Sequence, residues 1–257
     1  HNIHGYYLNI QILFNYLRES GKPVVWTLHD CWPFTGHCCY FDRVNCCKWQ
    51  TGCYDCPNLK GYPESWCRDN SKRNFTRKRE LFTGVKNLTL VSPSCWLADH
   101  LKNSFLKNSE IKVIHNGTDT DFFKPVDYRH IQSKYDLKTE KLVIGVASIW
   151  DNRKGLADFI KLRGVLPSFI SIILVGLNKQ QISGLPEGIK GICRTESKQD
   201  LAALYSAADA FVNLTQVDNF PSTNIEALAC GLPVVTYNTG GSPEAVDENT
   251  GYVAVRG

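Results

Sequence analysis

Asp218-Asn-Phe-Pro-Ser-Thr-Asn-Ile-Glu-Ala-Leu-Ala-Cys-Gly-Leu-Pro-Val-Val-Thr-Tyr-Asn-Thr-Gly-Gly241 is the stretch on which the reading of this chain turns. It reads as a Pro-Ser-Thr turn, a short helix stopped by Gly231, and an apolar strand over Pro233–Tyr237. Ser222 and Thr223 are expected to cap the helix, and the unpaired N–H groups and partial positive charge of its first turn suit a phosphate. Glu226, one turn further in, is placed to accept hydrogen bonds from a ribose diol beside that phosphate. Asp218 supplies a second acid. Spacing alone equally describes an ordinary capped helix with a solvated Glu.

Short apolar runs recur on the N-terminal side at Leu142–Ala147, Ile170–Val175, Ile189–Cys193 and Ala210–Leu214, and beyond the motif at Tyr252–Val255. Helical patterns separate most of them, so a parallel, doubly wound α/β sheet is expected. One helix, Gln199–Ala208, carries a near capping box, with Ser197 three residues before Asp200. In the first half, Pro23–Leu28, Leu88–Val91 and Ile111–Ile114 read as strands. Helices are expected over Tyr6–Ser20, stopped by Gly21, and after a Ser94 cap, where Leu97, Leu101 and Phe105 form a stripe. No Gly-x-Gly-x-x-Gly, Walker loop, Gly-x-Ser-x-Gly or His-Glu-x-x-His occurs, which disfavours dinucleotide, P-loop, serine hydrolase and zincin chemistry.

Two further positions draw chemistry from their place in such a sheet. Ser148-Ile-Trp-Asp-Asn-Arg-Lys-Gly155 follows a strand and opens the helix Gly155–Leu166, so Arg153, Lys154 and the helix N-terminus form a second anion site. His29 stands at the carboxyl end of Pro23–Leu28, where open α/β sheets keep their chemistry, although a lone His is more often structural. Asp119-Thr-Asp121 matches the Asp-x-Asp that holds a metal in some sugar-transfer enzymes, but a three-residue pattern occurs by chance.

At 257 residues, 43% hydrophobic and 21% charged, the chain has room for one large or two ordinary domains. It holds no run of 18 apolar residues and no basic-then-apolar leader, and it reads as an internal piece of a longer protein. Eleven cysteines is an odd count in a large chain, and Cys193 and Cys230 sit in apolar segments that read as buried thiols, so a reducing cytoplasm is expected. Eight of the eleven fall in residues 31–67. There Cys53-x-x-Cys56 has the spacing with which two thiolates grip zinc, and Cys38 or Cys39 with Cys46 or Cys47 supplies a second pair. The favoured expectation is a structural zinc held by Cys38, Cys46, Cys53 and Cys56, against free thiols, disulfides or a redox pair. Arg68–Lys86 holds seven cations against Asp69 and Glu80. Such a run is usually a solvated helix face, but its density raises an anionic membrane surface or a phosphate-bearing lipid as partner. No aromatic stacking platform accompanies it, so nucleic acid is not expected.

Val143–Gly155, His115–Pro125 and above all Asp218–Gly241 resemble the retaining, nucleotide-sugar-dependent glycosyltransferases of family 4, which have two facing Rossmann domains in the GT-B fold. Trp26–Pro57, with Thr-Leu-His-Asp-Cys-Trp-Pro-Phe-Thr-Gly-His-Cys and Lys-Trp-Gln-Thr-Gly-Cys, is similar to bacterial exopolysaccharide and colanic-acid-type members that carry a Cys-rich insert. The resemblance implies an acceptor-side domain over 1–118, with its insert at 31–67, and a nucleotide-sugar-binding domain over 119–257. It also implies that the opening strand and Gly-rich loop of the first, and the closing helix of the second, are missing. The implied activity is transfer of a sugar from a UDP- or GDP-sugar to a glycan or polyprenyl-phosphate-linked acceptor, in the cytoplasm or at the inner face of its membrane, with no metal required. By the same resemblance Glu226 binds the donor ribose, and Asp218 stands where the family usually has a Glu contacting the donor sugar, one methylene longer. Lys154 steadies the diphosphate, Arg153 substitutes for an Arg that the family places where Ser148 stands, and Ser222, Thr223 and Asn224 complete the donor contacts. His29 matches a histidine near the transferred group. The alternatives are a non-catalytic sugar-nucleotide-binding or scaffold protein of the same fold, and a GT-B epimerase or phosphorylase, which lacks a pyridoxal-lysine context.

Overall fold

The computed structural model of the protein describes Ile3 and residues 8–137 and 141–256. Its contacts divide into two compact units, His1–His115 and Asn116–Gly257.

The first unit contains α1 (Ile10–Ser20), β1 (Val24–Thr27), α2 (Ser71–Phe82), β2 (Leu88–Ser92), α3 (Cys95–Lys102) and β3 (Glu110–Val113). The side chain of Asn9 caps α1 by accepting from the amides of Gln11 and Ile12, and Gly21 stops it in the left-handed conformation at φ 63°. Tyr6 and Tyr7, the first residues of the helix expected there, lie outside the described residues. The three strands pair in parallel in the order β1-β2-β3. Ser94 caps α3 as expected, accepting from Leu97 N–H at 3.1 Å.

The insert between β1 and α2 is built from three 3-10 turns, and an aromatic cluster organises it. Phe41 stacks on Trp49 with ring centroids 4.9 Å apart, and Phe34 meets Trp49 edge-on at 5.3 Å. Beneath them lies Lys78, only 3% exposed, whose Nζ donates to Trp32 O at 2.7 Å and Thr35 O at 3.0 Å. The ammonium also sits 3.4 Å from the centre of the Trp32 ring. Burial pushes Lys78 down to about 7. These contacts order the insert. Among the described residues no group of three or more His, Cys, Asp or Glu side chains could hold a metal ion. The Cys38 and Cys56 thiols instead hydrogen-bond to one another, and Cys53 Sγ accepts the Gly36 N–H at 3.1 Å. Cys38, Cys46, Cys53 and Cys56 lie close enough to influence one another, and no disulfide forms among the described residues.

The second unit runs through α4 (Arg129–Lys134), β4 (Lys141–Val146), α5 (Leu156–Val165), β5 (Ile170–Val175), α6 (Lys179–Ser183), β6 (Ile189–Ile192), α7 (Lys198–Ala207), β7 (Ala210–Asn213), α8 (Ser222–Ala229), β8 (Val234–Tyr237) and β9 (Gly251–Ala254). Every expected strand is present with ends within a residue or so. All six pair in parallel in the order β6-β5-β4-β7-β8-β9. Their side chains feed two separate buried clusters, one around Ile144, Tyr205 and Phe211 and one around Ile172, Leu174 and Phe159, as a sheet covered on both faces requires. Ser197 caps α7, accepting from Asp200 N–H at 3.0 Å. One expectation fails here: Cys230 is buried, but Cys193 is exposed, because β6 ends at Ile192 and the chain leaves the sheet before the thiol. No helix among the described residues is long and apolar enough to cross a membrane.

Candidate functional site

The strand order of the second unit decides where its chemistry can lie. β5 and β6 run out to one side of β4, and β7, β8 and β9 to the other, so the winding reverses between β4 and β7. Ligands of open α/β sheets bind outside the carboxyl ends of the strands at that reversal. The two loops that leave there are residues 147–155 and 214–221, the segments that carry Arg153, Lys154 and Asp218.

These loops are bound to each other through their backbones. Gln216 N–H donates to Arg153 O at 2.7 Å, and Thr215 Oγ1 donates to Arg153 O at 3.3 Å and Val217 O at 3.2 Å. Gly155 makes the approach feasible: it has φ 78°, and a Cβ there would collide with the carbonyl oxygen of Leu214. Asp151 Oδ1 accepts the amides of Arg153 at 2.9 Å and Lys154 at 3.1 Å, which sets the turn that presents both cations. From the other side, Gly241 N–H donates to Asp218 O at 2.9 Å, with Gly240 in the left-handed region at φ 57°.

The result is a buried ion cluster. Asp218 Oδ2 lies 2.6 Å from Lys154 Nζ and 3.2 Å from Arg153 Nη1, with side-chain exposures of 17%, 17% and 26%. Burial raises the Asp218 pKa, but the Lys154 and Arg153 charges outweigh it and hold the carboxyl below its ordinary range. Asp218 therefore stays ionised as the counter-ion of the two cations that were expected to serve a diphosphate.

α8 begins one residue earlier than its expected caps imply. Pro221 is the N-cap, Ser222 and Thr223 are the first two helical residues, and no side chain caps the end. The cap expectation is corrected, with a physical consequence: a proline has no side-chain oxygen to take up the first-turn amides. Glu226 follows on the same helix and is half-buried. Burial raises its pKa, while hydrogen bonds from Tyr205 and Ser222 work against the rise. Tyr205 is fully buried and donates its hydroxyl to Glu226 Oε2 at 3.2 Å.

Asn224 has a different role from the one expected. It is 0% exposed, its Oδ1 accepts from Asn213 Nδ2 at 2.8 Å, and its Nδ2 donates to Ser242 O at 3.1 Å. An enclosed amide has to spend both ends inside the protein, so Asn224 ties α8 to β7 and to the Ser242 turn and does not face a ligand. Asp119 Oδ1 accepts Asp121 N–H at 3.0 Å in a local turn. In the first unit, His29 is half-buried just past β1, and burial lowers its pKa, with Asp30 opposing.

The sequence reading brought Arg153, Lys154, Asp218 and Glu226 to this region, and the structure joins the first three in direct contact. It missed Tyr205, hidden inside the apolar pattern of α7, and the Asn213–Asn224 pair that fixes the base of the site. A tyrosine among small residues on the buried face of α7, one packing layer from Glu226, was the available signal.

Comparison with known proteins accords with this geometry. Residues 127–257 match the family model described as "Glycosyl transferases group 1". The chain is 28% identical over 264 residues to WcaC of Escherichia coli (strain K12), assigned as a colanic acid biosynthesis glycosyl transferase, covering 98% of this chain and 62% of that protein. The chain thus spans less than two thirds of that relative's length. Among solved structures it resembles Anabaena HepE in complex with UDP and glucose, with a TM-score of 0.66 and 20% identity, over 96% of this chain and 61% of that one. WaaG, a glycosyltransferase involved in lipopolysaccharide biosynthesis, superposes with a TM-score of 0.64 and 18% identity, over 95% of this chain and 67% of that one. These likenesses extend through both units and show the fold to be GT-B. With more than half of its length matched by the family model, and parallel α/β units of the family's fold, the chain belongs to the group 1 glycosyl transferases.

Proposed function

We propose that the protein transfers a sugar from a nucleoside diphosphate sugar to a hydroxyl of a glycan or lipid-linked acceptor, with retention at the anomeric carbon, in bacterial polysaccharide assembly. The observation that carries this reading is the Arg153–Lys154–Asp218 cluster at the sheet's switch point, beside an uncapped helix start and Glu226. A diphosphate laid against α8 shares Lys154 and Arg153 with Asp218 and meets the amides of Ser222 and Thr223. Glu226, steadied by Tyr205, accepts from the ribose hydroxyls. In the reaction the bond between the anomeric carbon and the diphosphate oxygen breaks. Negative charge grows on the diphosphate, where Lys154, Arg153 and the helix amides stabilise it; aimed donors of this kind are worth ~3–4 kcal/mol each in a dry site. The acceptor oxygen bonds to the anomeric carbon from the same face, and its proton leaves with the diphosphate.

Once the diphosphate shares the cations, Asp218 is the nearest carboxylate to the sugar hydroxyls, the role that the resemblance implies for it. For His29 the resemblance implies a place near the transferred group, and its lowered pKa keeps the imidazole neutral and able to accept a hydrogen bond. No metal takes part. The HepE structures hold UDP, glucose and UDP-glucose, which favours a uridine donor within the UDP- or GDP-sugar class. The chemistry is placed in the cytoplasm, where sugar nucleotides are made.

The test is calorimetric titration of the intact protein with UDP-glucose and with a GDP-sugar. Glu226→Ala is expected to weaken donor binding by about 1.5–3 kcal/mol, as hydrogen bonds to a charged group are lost. Unchanged affinity would remove the site assignment, and turnover that collapses on chelation would remove the metal-free mechanism.

A further inference from the structure

Residues 60–86 hold eight Lys and Arg against three acids, while the whole chain has a formal net charge of only +4, so this segment carries the chain's excess. One of the eight, Lys78, is buried; the other seven, Lys60, Arg68, Lys72, Arg73, Arg77, Arg79 and Lys86, are exposed. On α2, Lys72, Arg73, Arg77 and Arg79 occupy one side of the helix, opposite the buried Phe75, Leu81 and Phe82. Several cations elsewhere are matched by a carboxylate: Lys102 with Asp99, Lys112 with Glu110, Arg129 with Asp127, Lys141 with Asp209. Among the described residues the four exposed cations of α2 form no ion pair. Asp69, whose carboxylate accepts the amides of Cys56 and Ser71, both at 2.8 Å, and Glu80, exposed on α2, offset only part of this charge.

Beside this face stand two large rings in water. Trp66 is 90% exposed and Tyr62 is 68% exposed. The turn between them, Pro63, Glu64 and Ser65, walls the same cavity of about 350 Å³ as Asn74 and Arg77 of α2, so the turn that carries the rings lies beside the Arg77 side of the helix. Tryptophan and tyrosine favour the headgroup level of a bilayer, where one end of the ring is in an apolar medium and the other is wet, and Lys and Arg favour the phosphates around them. A solvated helix face explains the cations alone and leaves Trp66 unexplained.

We propose that the face formed by the Tyr62–Trp66 turn and the outer side of α2 docks on an anionic phospholipid bilayer, the rings at headgroup level and Arg73, Arg77 and their neighbours over the lipid phosphates. The docking is separate from donor chemistry and is read without it. Intact protein is sedimented with vesicles of phosphatidylcholine containing one-third phosphatidylglycerol and with vesicles of phosphatidylcholine alone. Binding is expected to the anionic vesicles only, to weaken with salt, and to shift tryptophan emission to the blue in a way that Trp66→Phe abolishes. Arg73→Gln with Arg77→Gln is expected to weaken partition by roughly fivefold per charge removed. Lys102→Gln, which removes a cation already paired with Asp99, is expected to leave it unchanged. All of these positions are exposed, and thermal melts establish that the variants fold. Equal binding to both vesicle types, patch variants that partition like the parent, or tighter binding to duplex DNA than to anionic vesicles would each overturn the proposal.

Discussion

Two charged side chains removed from most of the solvent, Lys78 in the first unit and Asp218 in the second, are handled in opposite ways. Nζ of Lys78 meets two carbonyl oxygens, at 2.7 and 3.0 Å, and the face of Trp32, while the charge of the buried Asp30 opposes the effect of burial without offsetting it. Asp218 in the second is surrounded by opposite charges, Lys154 and Arg153. Dipoles do not repay the desolvation of an ammonium, so burial drives Lys78 down to about 7. Two cations more than repay that of a carboxylate, so Asp218 stays ionised. Protonated or not, the amino group of Lys78 has N–H donors enough for the Trp32 and Thr35 carbonyls, which makes Lys78 a piece of architecture. A carboxylate that balances two cations can share them with an incoming anion, which is the role proposed for Asp218.

The largest expected effect falls on the architectural charge. Lys78→Ala leaves both carbonyls unpaired and a void beneath the aromatic cluster, and should cost about 3–5 kcal/mol of stability in the first unit. Chemical denaturation followed by hydrogen exchange in β1 and β2 measures it, and a loss under about 1 kcal/mol would erase the contrast. Asp218→Asn should cost less, about 1–2 kcal/mol, since Arg153 and Lys154 keep some contact with solvent. The same variant should bind inorganic pyrophosphate more tightly than the parent, because the cations lose their competitor. Weaker pyrophosphate binding would show that the carboxylate organises the cations for the ligand and does not compete with it.

The pH dependences should also run in opposite directions. Asp218 has a lowered pKa, so the unfolded chain takes up its proton first as the solution is acidified. Its contribution to stability is present above the unfolded value of about 3.9 and is lost as pH falls through the lower folded value. Asp218→Asn should flatten that acid limb. Between about 7 and the unfolded lysine value of roughly 10.4 the unfolded chain binds a proton at Lys78 that the folded one has released, so stability rises with pH across that window. Lys78→Met should remove the rise, as unfolding midpoints measured across alkaline pH would record. The smallest effect is at Tyr205→Phe, which deletes one hydrogen bond to Glu226 and should cost about 1 kcal/mol of donor affinity, most visibly at mildly acid pH, where the raised Glu226 pKa makes the carboxylate easiest to protonate.

The second unit was far more legible from its residues than the insert of the first. Six apolar runs such as Ile170–Val175 could be nothing but covered strands, and the Ser197 cap and the Gly155 turn are local devices whose residue types announce them. The cysteine-rich insert has no period to read. Its thiol spacing suggested zinc, whereas its order comes from Phe34, Phe41 and Trp49 meeting across many residues and from a lysine of α2. Lys78 itself was counted with its charged neighbours, although it falls on the stripe of Ser71, Phe75 and Phe82. Asn224 was read with the ligand-facing turn because capping residues and buried amides look alike in a linear string; only its partners, Asn213 and Ser242, tell them apart.

The order of residues determined the parallel α/β class, the pairing of Arg153 and Lys154 ahead of α5, and the placing of Glu226 one turn into α8, because all of these depend on periodicity and on neighbours a few positions away. Only the tertiary structure decided that Asp218 is the partner of Lys154, that Tyr205 reaches Glu226, and that the insert rests on aromatic packing and Lys78. Those outcomes depend on which loops meet at the reversal of strand order and on what burial costs a charge once they have met, and neither is written in any one segment.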